Sequence, residues 1–224
     1  MDKPILEVIA CTAADAIAAE RGGAHRLEVV RRLDLGGLTP DAETVREILS
    51  SVRISVRVMI RESTNFTVAD DAEFGRLCEA ARNFEKIGVD GLVLGFVKDG
   101  EPDIELTGKI IECAPTLNAT FHHAFEVTAD KFATIQKLKM LPQIDRVLSH
   151  GGMNDPAERC KTLQKYAQAA RPEIEVIAGG GIDAEMIRML RKSSSINEFH
   201  TGSAARVGDA VSAEKVAALI ECLK

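Results

Sequence analysis

Ile5-Leu6-Glu7-Val8-Ile9-Ala10 is a short run rich in β-branched residues, followed by Ala13 to Gly22 with its apolar residues at helical spacing and then by a second run, His25 to Val30. Strand, helix and strand in immediate succession is a βαβ unit. The same alternation continues along the chain. Further strand-like runs are Ile54 to Ile60, Asp90 to Gly95, Asn118 to His122, Asp145 to Ser149, Glu173 to Ala178 and Asn197 to His200. The helical stretches between and after them are Ala42 to Ser51, Asp70 to Ile87, Ile104 to Ala114, Ala129 to Leu141, Pro156 to Ala170, Ala184 to Lys192 and Ala213 to Leu223. Eight such pairs predict a single-domain α/β fold, a TIM (β/α)8 barrel spanning residues 1–224. A doubly wound open sheet is the alternative, but that fold usually carries a glycine-rich turn after its first strand, and here the turn reads Ala10-Cys11-Thr12.

Local signals fit the barrel. Thr12, Thr39, Asp155 and Asp183 stand where N-caps are expected, with Pro40 and Pro156 just behind two of them. Gly22 and Gly88 are placed to close helices in a left-handed conformation. Apolar residues make up 46% of the 224, enough for a sizeable core, so the chain is not disordered. Lysine and arginine number 28 against 34 acidic residues, a formal charge of −6 that disfavours a nucleic-acid partner. The apolar runs are too short to span a bilayer, and the first strand begins too early to leave room for a secretory signal. The five cysteines are scattered and odd in number, which suggests a reducing cytoplasm and neither a disulfide framework nor a structural zinc site. Apolar helix faces of barrels often pair, so a homo-oligomer is possible.

In a barrel the inward residues near the carboxyl ends of the strands build the active site. Glu7 and Glu28 are carboxylates embedded in apolar strands, Arg57 and Arg61 share a face on the third strand, and His122, Ser149 and His200 end the fifth, sixth and eighth. This pattern suits Glu7, Glu28 and His122 as proton carriers, with Arg57, Arg61, Ser149 and His200 holding an anionic group. A self-neutralising layer of salt bridges is the competing reading. Gly179, Gly180 and Gly181 follow the seventh strand, and Gly202 and Ser203 the eighth, where barrels often bind phosphate. The glycines would equally serve a tight turn. Cys11 is the one thiol expected at this mouth; the other four fall in helical stretches, where a buried inert thiol is the default.

Several segments resemble the CutC copper-homeostasis family, in family order: Ala19-Glu20-Arg21-Gly22-Gly23-Ala24, Arg26-Leu27-Glu28, Gly36-Gly37-Leu38-Thr39-Pro40 and Val58-Met59-Ile60-Arg61. The series continues with Thr120-Phe121-His122, Arg146-Val147-Leu148, Ala178-Gly179-Gly180-Gly181-Ile182 and Glu198-Phe199-His200. The resemblance implies a TIM barrel, a cytoplasmic location and copper handling. Family members proposed to bind copper carry cysteines two residues after each strand glutamate. Those positions here are Ile9 and Val30, leaving Cys11 as a displaced soft ligand. The loop Glu62-Ser63-Thr64-Asn65, His123 after the fifth strand and Glu126 also depart from the usual pattern. Three functions follow as expectations: a CutC-like copper protein, a lyase or isomerase acting on a phosphorylated or anionic sugar-like molecule, and a noncatalytic scaffold.

Overall fold

The structure, a computed structural model, describes residues 3–152 and 155–224. Eight strands close into one parallel barrel in sequence order: β1 Ile5–Ala10, β2 Arg26–Val29, β3 Ser55–Met59, β4 Gly91–Leu94, β5 Asn118–Phe121, β6 Ile144–Ser149, β7 Glu175–Ala178 and β8 Glu198–Thr201. The ring shuts where β8 pairs with β1, setting His200 beside Glu7. Each strand is followed by its helix: α1 Ala13–Arg21, α2 Ala42–Ser51, α3 Asp71–Ile87, α4 Ile104–Ile111, α5 Lys131–Leu138, α6 Pro156–Ala170, α7 Ala184–Ser193 and α8 Ala213–Glu221. The expected fold is therefore the observed one. Two short antiparallel hairpins, pairing Val97–Lys98 with Glu101–Pro102 and Arg206–Val207 with Ala210–Val211, were not foreseen. Strands of two residues leave no periodic signature to read.

The apolar core lies mainly between barrel and helices. Outward-facing Leu6, Val8, Leu27, Val29, Val58, Leu92, Phe121 and Phe199 pack against Ala16, Ile48, Leu77, Ile110, Ile135 and Leu190. Each fully buried large side chain contributes about 1.5–3 kcal/mol. Inside the barrel a smaller apolar cluster of Val30, Met59 and Val93, with Ile9, Cys11 and Leu33 against it, sits near the carboxyl ends of the strands.

Most caps hold. Thr12, Asp155 and Asp183 accept from first-turn amides of α1, α6 and α7, and Gly88 closes α3 at φ +91°. Two do not. Asp41 caps α2, because the Thr39 hydroxyl is bound to the backbone of Arg61, accepting from its N at 2.8 Å and donating to its O at 3.0 Å. Gly22 ends α1 in a right-handed conformation at φ −77°. Its role is space: a Cβ there would stand 2.5 Å from the Cβ of Val216 on α8.

Candidate functional site

Alternation along β1, β2, β3, β6 and β8 turns a run of charged side chains into the barrel, where an unpaired ion is costly. In the lower interior every one is matched. Arg26 bridges Glu7, through Nε, and Glu198, through Nη2 at 2.5 Å. Arg146 continues from Glu198, 2.8 Å away, to Asp145, whose carboxylate is gripped by Arg57 at 2.6 and 2.8 Å. Arg57 also donates to Thr120 at 2.9 Å. The expected salt-bridge layer is real, and it takes Arg57 out of the anion-binding set: its guanidinium is spent on Asp145 and Thr120.

Glu7 joins this layer to the mouth. His200 Nδ1 donates to Glu7 Oε1 at 2.7 Å, while His200 Nε2 lies 3.3 Å from Glu28. Burial opposes the charge on Glu7, but Arg26 and His200 outweigh it and hold its pKa well below the carboxylate range. Glu28 has no such arginine in contact, and burial pushes its pKa up to about 7. For His200, burial works against the imidazolium, yet the carboxylates of Glu28 and Glu7 raise its pKa above the ordinary value. Glu28 and His200 therefore share a proton near neutral pH.

His122 behaves differently. Its Nδ1 accepts from the Ala124 amide at 3.2 Å, which puts the proton on Nε2, and Nε2 has no partner. Burial, then Arg61, drives its pKa well down, so the ring is a neutral donor. Gly95 makes room for it, since a Cβ there would lie 2.9 Å from His122 Nδ1. The neighbouring His123 is buried enough that its pKa falls to about 3, and its ring sits edge-on to His200 at 6.4 Å.

Two adjoining cavities open here. One, of about 210 Å³, is lined by Glu28, Met59, Arg61, His122, Leu148 and His200. The second, of about 370 Å³, shares Ile9, Leu33, His123 and His200 with it and extends to Gly180, Gly181, Gly202, Ser203 and Arg206. Gly180 and Gly181 adopt φ +69° and +73°, the left-handed region that keeps this wall glycine. A larger hollow outside the barrel, about 460 Å³, gathers charges of both signs such as Asp70, Lys98 and Lys109, but none of this buried chemistry.

The CutC family profile matches residues 5–205. This chain belongs to the CutC family. A CutC family protein of Xanthomonas campestris pv. campestris is 32% identical over 93% of this chain and 87% of its own length. The copper homeostasis protein cutC homolog of Homo sapiens is 32% identical over 88% of this chain and 72% of its own. The CutC crystal structure from Streptococcus agalactiae superposes with a TM-score of 0.81 at 27% identity, covering 89% of this chain and 98% of that one. Thiamine phosphate pyrophosphorylase from Pyrococcus furiosus, at 16% identity and a TM-score of 0.64, shares the fold alone.

Within this CutC barrel the expected residues divide. Glu28, Arg61, His122, His200, Gly180, Gly181, Gly202 and Ser203 line the cavities; Glu7 supports them from below. Arg61 does so with its guanidinium engaged by backbone carbonyls of Ser63, Thr64 and Gly36 at 2.7, 2.7 and 3.2 Å, so it braces the loops. Ser149 is turned away: its hydroxyl donates to Glu126 at 2.8 Å and accepts from Gly151 N at 3.1 Å. Gly179 is a packing position, where a Cβ would strike Leu148 at 2.6 Å. Arg206 was missed. It lies beyond the last strand, held 3.3 Å from Asp15, with Nε unpartnered. An arginine inside Ala204-Ala205-Arg206-Val207 was the available signal.

The donor set at the mouth can be compared with what a copper ion selects. Among the described residues, the set of three whose ligand atoms converge within 4.8 Å is Glu7, Glu28 and His200. The Cys11 sulfur is not in it, and Cys11 packs instead with Val30, Met59 and Val93. Two carboxylates and an imidazole, one carboxylate already held by Arg26, do not fit a soft copper(I) ion, which selects sulfur. Nor does any helix among the described residues have the length and apolarity to cross a membrane.

Proposed function

We propose that this chain serves copper homeostasis in the cytoplasm, and that its barrel mouth contributes as a small-ligand site with proton-transfer chemistry. Membership of the CutC family supports the first part, since the human relative is named for copper homeostasis. Five free cysteines suit a reducing compartment. The observation that carries the second part is the Glu28–His200 pair, 3.3 Å apart, with Glu28 at a pKa of about 7 beside the unpartnered Nε2 of neutral His122. A carboxyl group tuned to operating pH is the form a general acid or base takes.

In this reading the ligand is small and anionic. The Gly180, Gly181, Gly202 and Ser203 wall receives its charged end, His122 donates to an oxygen of its polar end, and Glu28 takes or gives the proton that His200 relays. A lyase or isomerase step has these needs. The test is complementation of a strain lacking its own CutC under copper stress, with wild-type and Glu28→Gln chains at equal abundance. Wild type is expected to restore copper tolerance and Glu28→Gln to fail. Full rescue by the variant would remove the mouth from the function, and no rescue by wild type would remove the copper role.

A further inference from the structure

The turn after β7 is held from one side. Arg159 on α6 donates through Nη2 to the carbonyls of Gly179 and Gly180 at 3.1 and 2.6 Å, and through Nε to His150 O at 2.8 Å. In a trans peptide the N–H points opposite to the C=O, so the amides of Gly180 and Gly181 both face away from Arg159. These two glycines line the cavity of about 370 Å³, and Gly202 and Ser203 form its wall after β8. Among the described residues, no hydrogen bond takes up any of these four amides. Arg206 also lines the cavity. Its Nη1 and Nη2 are spent on Asp15, Asp209 O and Ile9 O, but Nε, on a buried side chain, has no partner. Among the described residues no carboxylate lines this cavity; Glu28 belongs to its smaller neighbour.

We propose that this cavity seats the phosphate group of a small phosphate monoester, whose remainder extends into the neighbouring cavity toward Glu28 and His122. The inference rests on the small-ligand site proposed above and names the group at the ligand's charged end. Successive backbone amides in a tight turn make an anion-binding concavity. The left-handed backbone keeps Gly180 and Gly181 glycine, so no Cβ stands between their amides and an anion. Donors come from the turn after β7, the turn after β8 and Arg206 Nε, a spread that suits the three terminal oxygens of a tetrahedral phosphate better than the two coplanar oxygens of a carboxylate. Asp15 does not compete for them. It accepts from the terminal nitrogens of Arg206 and from the amides of Cys11 and Val211 at 3.0 and 2.9 Å, so its charge is already met. The two cavities share Ile9, Leu33, His123 and His200, so one ligand can occupy both.

The test is calorimetric titration of the full chain with inorganic phosphate, a glycerol phosphate and acetate at fixed pH and ionic strength. Saturable binding of both phosphates at one site per chain is expected, with acetate at least about tenfold weaker. Ser203→Asp, at an exposed position on the wall, sets a like charge beside the phosphate and should weaken binding at least about 100-fold. Arg206→Lys keeps a cation for Asp15 but removes Nε, and should weaken it about tenfold. Thermal unfolding of both variants separates lost binding from lost fold. Absence of phosphate binding by the wild type overturns the site, as do acetate binding equal to that of phosphate and phosphate binding that survives in folded Ser203→Asp. Each of these results leaves the proton-transfer reading of the mouth to complementation with Glu28→Gln, which does not read bound phosphate. Full rescue by Glu28→Gln with phosphate bound as expected would fault that reading and not the phosphate site.

Discussion

The lower interior of the barrel and its mouth are built from the same residue types to opposite ends. Below, Arg26, Glu7, Glu198, Arg146, Asp145 and Arg57 form a continuous chain in which each charge meets an opposite one. Above, Glu28 has only a histidine beside it, His122 Nε2 and His123 Nδ1 have no partner, and two cavities adjoin them. A buried charge that is fully paired tells about folding, whereas one left with unmet bonding capacity is available for a ligand. The layer below is thus the base that holds Glu7, and through it His200, in place for the chemistry above.

The comparison breaks first, and with the largest effect, at Arg26. Arg26→Ala leaves Glu7 and Glu198 facing each other's charge without their shared guanidinium. Removing one partner of a buried pair costs about 3–5 kcal/mol. Chemical denaturation at neutral pH is expected to show a loss of this size. A loss under about 1 kcal/mol, the range of exposed pairs, would mean that the lower layer is not the scaffold.

The mouth predicts a different response, visible only when pH is varied. The folded pKa of Glu28 is raised, so its contribution to stability is fully present below the unfolded value near 4.5 and is lost as pH rises through about 7. Glu28→Gln removes that titration. The variant should therefore gain on the wild type between pH 4.5 and 8, by about 2 kcal/mol once relaxation is allowed for. Unfolding midpoints across that range measure it. A variant that instead loses ground as pH rises would show that Glu28 is a paired carboxylate like Glu7, and the contrast between the two halves would collapse.

How much of this was legible depends on what sequence encodes at short range. All eight βα units could be read because strand alternation and helical periodicity are local properties, and α2 and α6 end where expected, at Ser51 and Ala170. Glu7, Glu28 and His200 could be singled out because a carboxylate or imidazole in an apolar strand has few reasons to exist. Alternation gives the face of a residue, however, and neither its height nor its partner. Arg57 and Arg61 share a face, yet one is bound to Asp145, far away in sequence, and the other clasps loop carbonyls. Ser149 shows the limit of reading an inward face from a strand's end: Arg146 points inward to Glu198 and Leu148 lines the mouth, so the next residue points out. Arg206 sits outside the eight barrel strands, in a two-residue hairpin strand, and only the closed ring brings it to Asp15 on α1.

The smallest expected effect belongs to Cys11, which separates the mouth from the soft-metal chemistry that the family's cysteines would otherwise suggest. Its thiol is half-buried against Val30, Met59 and Val93, and burial pushes its pKa above the ordinary value, so it is held as an uncharged, slightly polar hydrophobe. Its backbone amide, not its sulfur, is what matters locally, donating to Asp15 at 3.0 Å and thereby anchoring the carboxylate that holds Arg206. Alanine keeps that amide. Cys11→Ala should change stability by no more than about 1 kcal/mol, the scale of one buried methylene-sized group, and should rescue copper tolerance as well as the wild type does. If instead this one change abolished rescue, the soft ligand would lie at the mouth after all, and the reading of the mouth as a proton-handling site without sulfur would have to be drawn again.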